Sequence, residues 1–433
     1  MRTIYPIEID DIENFKDKLF NWSEKFEDVV WLDSNTYENS TYDAILAVDA
    51  FTAIKTDYTQ ALDNLNDYHA QTQDWIFGYL SYDVKNSIEK LESKNDDGLE
   101  FPDLYFFQPQ KLFLIKGKKV ECCYLNVVSD EFEIDLNDIK NYNISDDYLA
   151  ETIDIKPKIS REIYLSKLSE VLEHIKRGDI YEMNFCQEFY AENHNFYPEL
   201  CFKNLNEISR PPFACFFKHE NLYALGSSPE RFIKKNGNQI ISQPIKGTAK
   251  RDSNQNLDDD LKNKLQLNPK EISENVMIVD LVRNDLSKIA ERDSVKVEEL
   301  CKIYSFRQVH QMISSVSAIM KSDTDLKTIL EATFPMGSMT GAPKVSAMQI
   351  IEDLESTKRG LYSGCIGYIS PEFDFDFNVV IRSILHNKTK KYTSLMVGSA
   401  ITHKSIPENE YEECLIKAKA LFEVLRDSGV KMV

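Results

Sequence analysis

Asn236-Gly237 stands between two short apolar pairs, Phe232-Ile233 and Ile240-Ile241, within the stretch 222–250, LYALGSSPERFIKKNGNQIISQPIKGTAK. An Asn-Gly dipeptide flanked by short apolar runs is the strongest local signal for an antiparallel hairpin, because both residues tolerate the positive φ that such a tight turn needs. A hairpin brings its ends together. Glu230 precedes the first predicted strand and Lys246 follows the second, so a carboxyl and an amine 16 residues apart in sequence are expected close in space. Pro244 and Gly247 flank the lysine; one fixes φ and the other frees it, which suits a residue held at a cleft edge. The plain alternative for this pair is a surface salt bridge beside a turn.

Apolar runs at 28–32, 44–48, 75–82 and 111–115 read as strands, and 61–70 as a helix. A longer helix is predicted over 159–176, with Tyr164, Leu168, Val171, Leu172 and Ile175 at helical spacing and Gly178 as its stop. The strand GDIYEMNFCQEFY follows. Many strands with intervening helices and no regular βαβ rhythm point to an α+β fold or mixed sandwich. Residues 128–158 are acidic with scattered apolar positions and read as a boundary or a surface excursion, lying between an amino-terminal region, 1–150, and a second region, 155–428.

Subtracting 71 acidic from 51 basic residues gives a net charge of -20, which opposes non-specific binding to nucleic acid or anionic membrane. No stretch approaches the roughly 20 apolar residues of a membrane span, and the start MRTIYPIEIDDIENF is too acidic for a signal peptide. A cytoplasmic location is the expectation. The eight cysteines show no CxxC spacing and read as reduced core residues.

Two acid pairs carry chemistry. In 268–290, Asn268 is a plausible N-cap and Pro269 opens a helix on which Glu271 and Glu274 are three apart, on one face. In SIPENEYEECLIKAKALFEVL a second Pro-initiated helix places Glu410 and Glu413 three apart beside its apolar face. One such pair is ordinarily a solvated edge. Two pairs at the starts of two helices invite a hard divalent cation, and magnesium prefers a few carboxylates completed by waters and substrate oxygens. Between them, TFPMGSMTGAPKVSAMQIIEDLE is a turn running into a helix, where backbone N–H groups, Thr340 and Lys344 suit an anion. RGLYSGCIGYIS and NVVIRSI then read as strands carrying Tyr362 and Arg382; an arginine fork matches a carboxylate, with an edge charge as the alternative.

The wording of these segments resembles the chorismate-utilising enzymes: SSPERF with PIKGT, SENVMIVDL, EYEEC and GSMTGAPK, with FGYLSYD and FPDLYFF extending the likeness over the whole chain. Lys246 narrows it to the aminodeoxychorismate synthase component I branch, since anthranilate synthases usually have alanine there. The resemblance implies a layered sandwich of two large, mostly antiparallel β-sheets with helices outside and the active site in the central cleft. It implies Mg2+ held by Glu274 and Glu413, with Glu271 and Glu410 acting directly or through water. It assigns Gly247, Thr248, Thr340, Lys344, Tyr362, Arg382 and Gly398 to the substrate. In the mechanism it implies, Lys246 attacks C2 of chorismate while the C4 hydroxyl leaves with a proton from Glu230. Ammonia then enters at C4 and expels the lysine, giving 4-amino-4-deoxychorismate for p-aminobenzoate and folate synthesis.

Three departures accompany the likeness. Isochorismate and salicylate synthases carry a water-activating lysine at the position of Glu182, so water attack is not expected; Glu182 itself reads as a strand-end surface residue, with a role in the pocket as the alternative. The family histidine of HLVS aligns with Gln311, and His310, one place earlier, should face the other way. Ala400 replaces a family glycine in Gly398-Ser399-Ala400-Ile401, so the pocket should be slightly tighter there. WLDSN at 31–35 only partly resembles the tryptophan-binding pattern of some relatives. The chain shows no glutamine amidotransferase motif, so ammonia is expected from a separate glutaminase subunit or from solution. An anthranilate synthase large subunit and a non-catalytic chorismate-binding subunit are the alternative readings.

Overall fold

The structure is a computed structural model describing residues 1–143, 153–307 and 309–426. Among them, hydrogen bonds join twenty strands into one continuous sheet, antiparallel at every strand pairing, and eleven α-helices pack around it. The α+β, mostly antiparallel class expected from the sequence is therefore observed, with the strands linked in a single network that bears two apolar cores. Side-chain alternation divides the residues between these cores. Strand Asp28–Asp33 sends Val30 to one and Val29 and Trp31 to the other, and strand Ala44–Thr56 divides Ile45 and Ala47 from Ala44, Leu46 and Val48 in the same way.

The first core receives helices Ala61–Thr72, Pro269–Ile289 and Leu326–Thr333; the second is closed by Ile12–Trp22, Arg161–Arg177, Pro198–Ser209 and Pro407–Arg426. Strands from the two ends of the chain pair directly, Asp28–Asp33 with Phe213–His219 and Ile76–Leu80 with Cys365–Ile369. The expected boundary at 128–158 instead contains helix Phe132–Lys140, which buries Phe132, Leu136 and Ile139; Tyr5 stacks on Phe132 at 4.0 Å. Its acidic flanks masked a short apolar stripe. Residues 144–152 of that stretch lie outside the described residues.

The hairpin forms where Asn236-Gly237 placed it, as strands Arg231–Asn236 and Gln239–Gln243, with Gly237 at φ +59. Its base is fixed to the sheet: the Arg231 guanidinium donates to both Asp376 carboxylate oxygens at 2.8 and 3.0 Å and to Gln243 at 2.5 Å. All eight cysteines are unpaired and seven are buried.

Candidate active site

Lys246 lies near the start of strand Ile245–Lys250, immediately after the hairpin. Its backbone carbonyl accepts from Asn275 Nδ2 at 3.4 Å, which couples it to helix Pro269–Ile289. Gly247 follows at φ +96, a conformation that favours glycine, and a Cβ there would press on the Glu271 side chain, 3.1 Å from its Oε2. At the other end of the hairpin, just before strand Arg231–Asn236, Glu230 is held by its backbone, its N–H donating to Ser228 Oγ at 3.3 Å and its carbonyl accepting from Val379 N at 3.0 Å.

These elements frame a cleft of about 870 Å³. Of the residues singled out in the sequence, Lys246, Glu230, Gly247, Thr248, Glu271, Glu274, Gln311, Tyr362, Arg382, Gly398 and Glu413 line it. Three do not. Lys344 Nζ turns away to Asp285 at 2.6 Å, and Thr340 is fully buried with Oγ1 donating to the Met336 and Gly337 carbonyls at 3.3 Å. The anion-pocket reading of those two residues is thus corrected: the turn contributes Ser338, whose buried Oγ has no hydrogen-bond partner. Glu410 is 2 % exposed and sits behind the lining, accepting from Lys270 Nζ at 3.0 Å.

Two further readings change. Lys246 does not pair with Glu230 but with Glu182, Nζ to Oε1 at 2.7 Å, and Glu182 is 1 % exposed rather than a surface residue. A strand end looks exposed in sequence, yet this one is covered by the Gly341–Ala342 strand paired with it. Arg382 is not within a strand; it lies between strands Phe375–Asn378 and Ser383–Asn387 at φ +50, a strained backbone whose carbonyl accepts from Ser227 N at 3.1 Å. Gly398 is required by its neighbour strand, since a Cβ would meet Cys186 Sγ at 2.6 Å. The opposite facing of His310 and Gln311 is as expected: His310 meets Ser305 Oγ at 2.8 Å and Asp258 at 3.0 Å, while Gln311 lines the cleft.

Electrostatics follow from burial. Burial pushes Glu230 up to about 7 despite the nearby Lys246, and it does the same to Glu274, also to about 7. Burial pulls Lys246 down, but the carboxylates of Glu182, Glu274 and Glu230 outweigh it and hold the amine above its ordinary value. The acid pairs face lysines: Lys270 lies 3.0 Å from Glu410 and 3.8 Å from Glu274, and Lys417 lies 2.7 Å from Glu413. Among the described residues no three acid, His or Cys side chains are gathered at metal-ligand spacing. Glu274 Oε1 and Glu410 Oε2 are nevertheless buried without hydrogen-bond partners, and acceptor-only oxygens left so suit a hard cation. Sequence reasoning gave Glu182 a place in the pocket only as its alternative and singled out none of Ser338, Lys270 and Lys417, although Ser338 lies within GSMTGAPK.

The continuous antiparallel sheet holding this cleft is a fold shared with anthranilate synthase component I of Streptococcus pneumoniae TIGR4. That crystal structure matches with a TM-score of 0.77 at 26% identity, covering 87% of this chain and 91% of the other. The chain belongs to the chorismate binding enzyme family, whose sequence model matches residues 27–423. It is 40% identical over 267 residues to the chloroplastic aminodeoxychorismate synthase of Arabidopsis thaliana, covering 61% of this chain and 29% of that one. It is 30% identical over 366 residues to aminodeoxychorismate synthase component 1 of Bacillus subtilis (strain 168), covering 82% and 77%. The chain thus spans under a third of the plant relative's length and about three quarters of the bacterial one's. No helix among the described residues is long and apolar enough to cross a membrane.

Proposed function

We propose that the chain converts chorismate and ammonia to 4-amino-4-deoxychorismate, the activity named for both relatives above. One observation carries the reading: Lys246 and Glu230 are both buried and both line the cleft, so a nucleophile and a proton donor share one substrate space. Lys246 attacks ring carbon C2 while Glu230, whose proton is held up to about pH 7, gives it to the departing C4 hydroxyl. Ammonia then bonds to C4 and the lysine leaves, so one difficult displacement becomes two. Arg382, in the same cleft, supports the substrate's carboxylate by a charge-assisted fork.

Glu274, Glu413 and Glu271, with Glu410 behind them, would hold Mg2+. When bound, that ion supplies positive charge that fixes and neutralises a substrate carboxylate. Without it, Lys270 and Lys417 are the cations facing these acids, so metal binding requires their displacement or retraction. Ammonia comes from a glutaminase subunit or from solution, in a cytoplasmic setting.

The test is product identification by chromatography after incubation with chorismate, Mg2+ and ammonium, with mass spectrometry of the protein. Expected are 4-amino-4-deoxychorismate and a covalent adduct on Lys246, both lost in Lys246→Ala. Anthranilate as the product would replace this reading with the anthranilate synthase alternative, and no product with retained chorismate binding would favour the non-catalytic one.

A further inference from the structure

The proposed reaction leaves one question about Lys246. An amine held as ammonium by surrounding carboxylates cannot attack carbon until it loses a proton, and Glu230 cannot take that proton because its own role is to give one away. The side chain that touches Nζ is Glu182: its Oε1 lies 2.7 Å away, and its Oε2 is buried without a hydrogen-bond partner. The other polar neighbour is the Ser338 carbonyl at 3.5 Å, which is not a base. Glu182 does not line the cleft. It therefore reaches the cleft only through Lys246.

We infer that Glu182 is the proton acceptor for Lys246, converting it from a stored ammonium to a nucleophile and returning the proton when the lysine is expelled. This rests on the reaction proposed above. The steps balance as follows. An N–H bond of Lys246 breaks and an O–H bond forms on Glu182; the freed nitrogen lone pair bonds C2; the C4–O bond breaks, and the Glu230 proton leaves with it as water. An ammonium ion gives one proton back to Glu230, and the resulting ammonia bonds to C4 as C2–N breaks. The neutral lysine then recovers its proton from Glu182. The sum is chorismate plus ammonium giving protonated 4-amino-4-deoxychorismate and water, with no external oxidant or base.

The charged groups facing Lys246 are Glu182 from strand Glu182–Glu192, Glu230 from the hairpin entry, Glu271 and Glu274 from helix Pro269–Ile289 and Glu413 from helix Pro407–Arg426. Of these only Glu182 is within ion-pair distance. Because Lys246 and Glu182 share one proton, moving it between them changes no net protonation. The pair therefore makes the active form without help from pH. Glu182→Gln keeps the shape and an acceptor but removes the base, so the active form then requires loss of a proton to solvent. The ratio of Glu182→Gln to native kcat/KM should rise about tenfold per pH unit between about pH 6 and 8, the response to one lost proton. Using a ratio cancels the dependence on Glu230. Glu182→Asp keeps the base and should give a flat ratio at reduced rate. A flat ratio for Glu182→Gln, whatever its size, assigns Glu182 a purely structural role and overturns the inference.

A second measurement does not depend on the reaction. Competitive labelling of the native protein and Glu182→Gln with acetic anhydride, read at the Lys246 peptide by mass spectrometry, should show the labelling midpoint fall by about one pH unit in the variant. An unchanged midpoint also overturns the inference. If the native protein makes no product yet the midpoint falls as expected, the coupling of the two side chains stands and the reaction proposed above fails by itself.

Discussion

Glu230 illustrates how burial alone selects a chemical role. A carboxyl with no ion-pair partner of its own in a closed wall pays for ionisation in lost hydration, and its proton is held up to about pH 7. Activity that needs the acid form should therefore fall as pH rises through about 7. Glu230→Gln should abolish that limb while lowering kcat by about 10²- to 10⁴-fold, measured by steady-state product formation across pH 5.5 to about 9. The same shift has a stability consequence of fixed sign. The folded value is raised above the unfolded one, so the stabilisation is complete below the ordinary carboxylate range and is lost as pH rises through about 7. In Glu230→Gln this loss should disappear, so urea midpoints of variant and native protein should converge at pH 5 and separate in the variant's favour at pH 8. A variant whose midpoint tracks the native one at both values would show that the buried carboxyl is not ionising there.

At the scale of elements, the turn 337–343 and the helix Lys344–Leu354 show why a motif's wording and its geometry part company. The sequence offers a Gly-Ser-Thr turn, a helix start and a lysine, the ingredients of an anion site. Folded, the lysine crosses to Asp285 on helix Pro269–Ile289, 59 residues away, and burial lowers its pKa even with that carboxylate beside it. Its role is to pin two helices. Lys344→Met should cost about 1 to 3 kcal/mol in urea denaturation, since it leaves the buried Asp285 with only the half-exposed Lys288, 3.0 Å away, as its cation, while KM for chorismate changes by less than about twofold. A large KM effect with unchanged stability would return Lys344 to the substrate. The pattern generalises to what was legible. The hairpin, the two Pro-initiated helices and the opposed facing of His310 and Gln311 follow from local spacing, and each was readable. The Glu182 to Lys246 pair joins residues 64 apart across different strands, and Arg382's left-handed backbone depends on the strands either side; neither leaves a local trace.

The whole molecule is built so that the amino-terminal strands cannot be removed without opening the core on which the catalytic half stands. Asp28–Asp33 and Ile76–Leu80 each hydrogen-bond to a strand from beyond residue 210, and both cores draw residues from both ends of the chain. Charge crosses the same junction: Lys85, wholly buried, meets Glu352 at 2.7 Å, and Asp83 accepts from Gly360 N at 3.0 Å. One sheet with shared cores should unfold as a unit. The sequence supplies a natural probe, because Trp22, Trp31 and Trp75, the three tryptophans, all lie in the first 150 residues while the cleft is built from residues beyond 180. Tryptophan fluorescence therefore reports the first region and far-UV circular dichroism the entire chain. The two urea transitions should coincide, and residues 155–433 expressed alone should fail to give a cooperative transition. Chorismate with Mg2+ at about 100 times its dissociation constant should then raise the tryptophan midpoint by the equivalent of about 2.7 kcal/mol, although the ligand touches no tryptophan. If the ligand shifted the circular dichroism transition and left the fluorescence transition in place, the two regions would be folding independently, and the shared sheet would not be transmitting stability from cleft to amino-terminal strands.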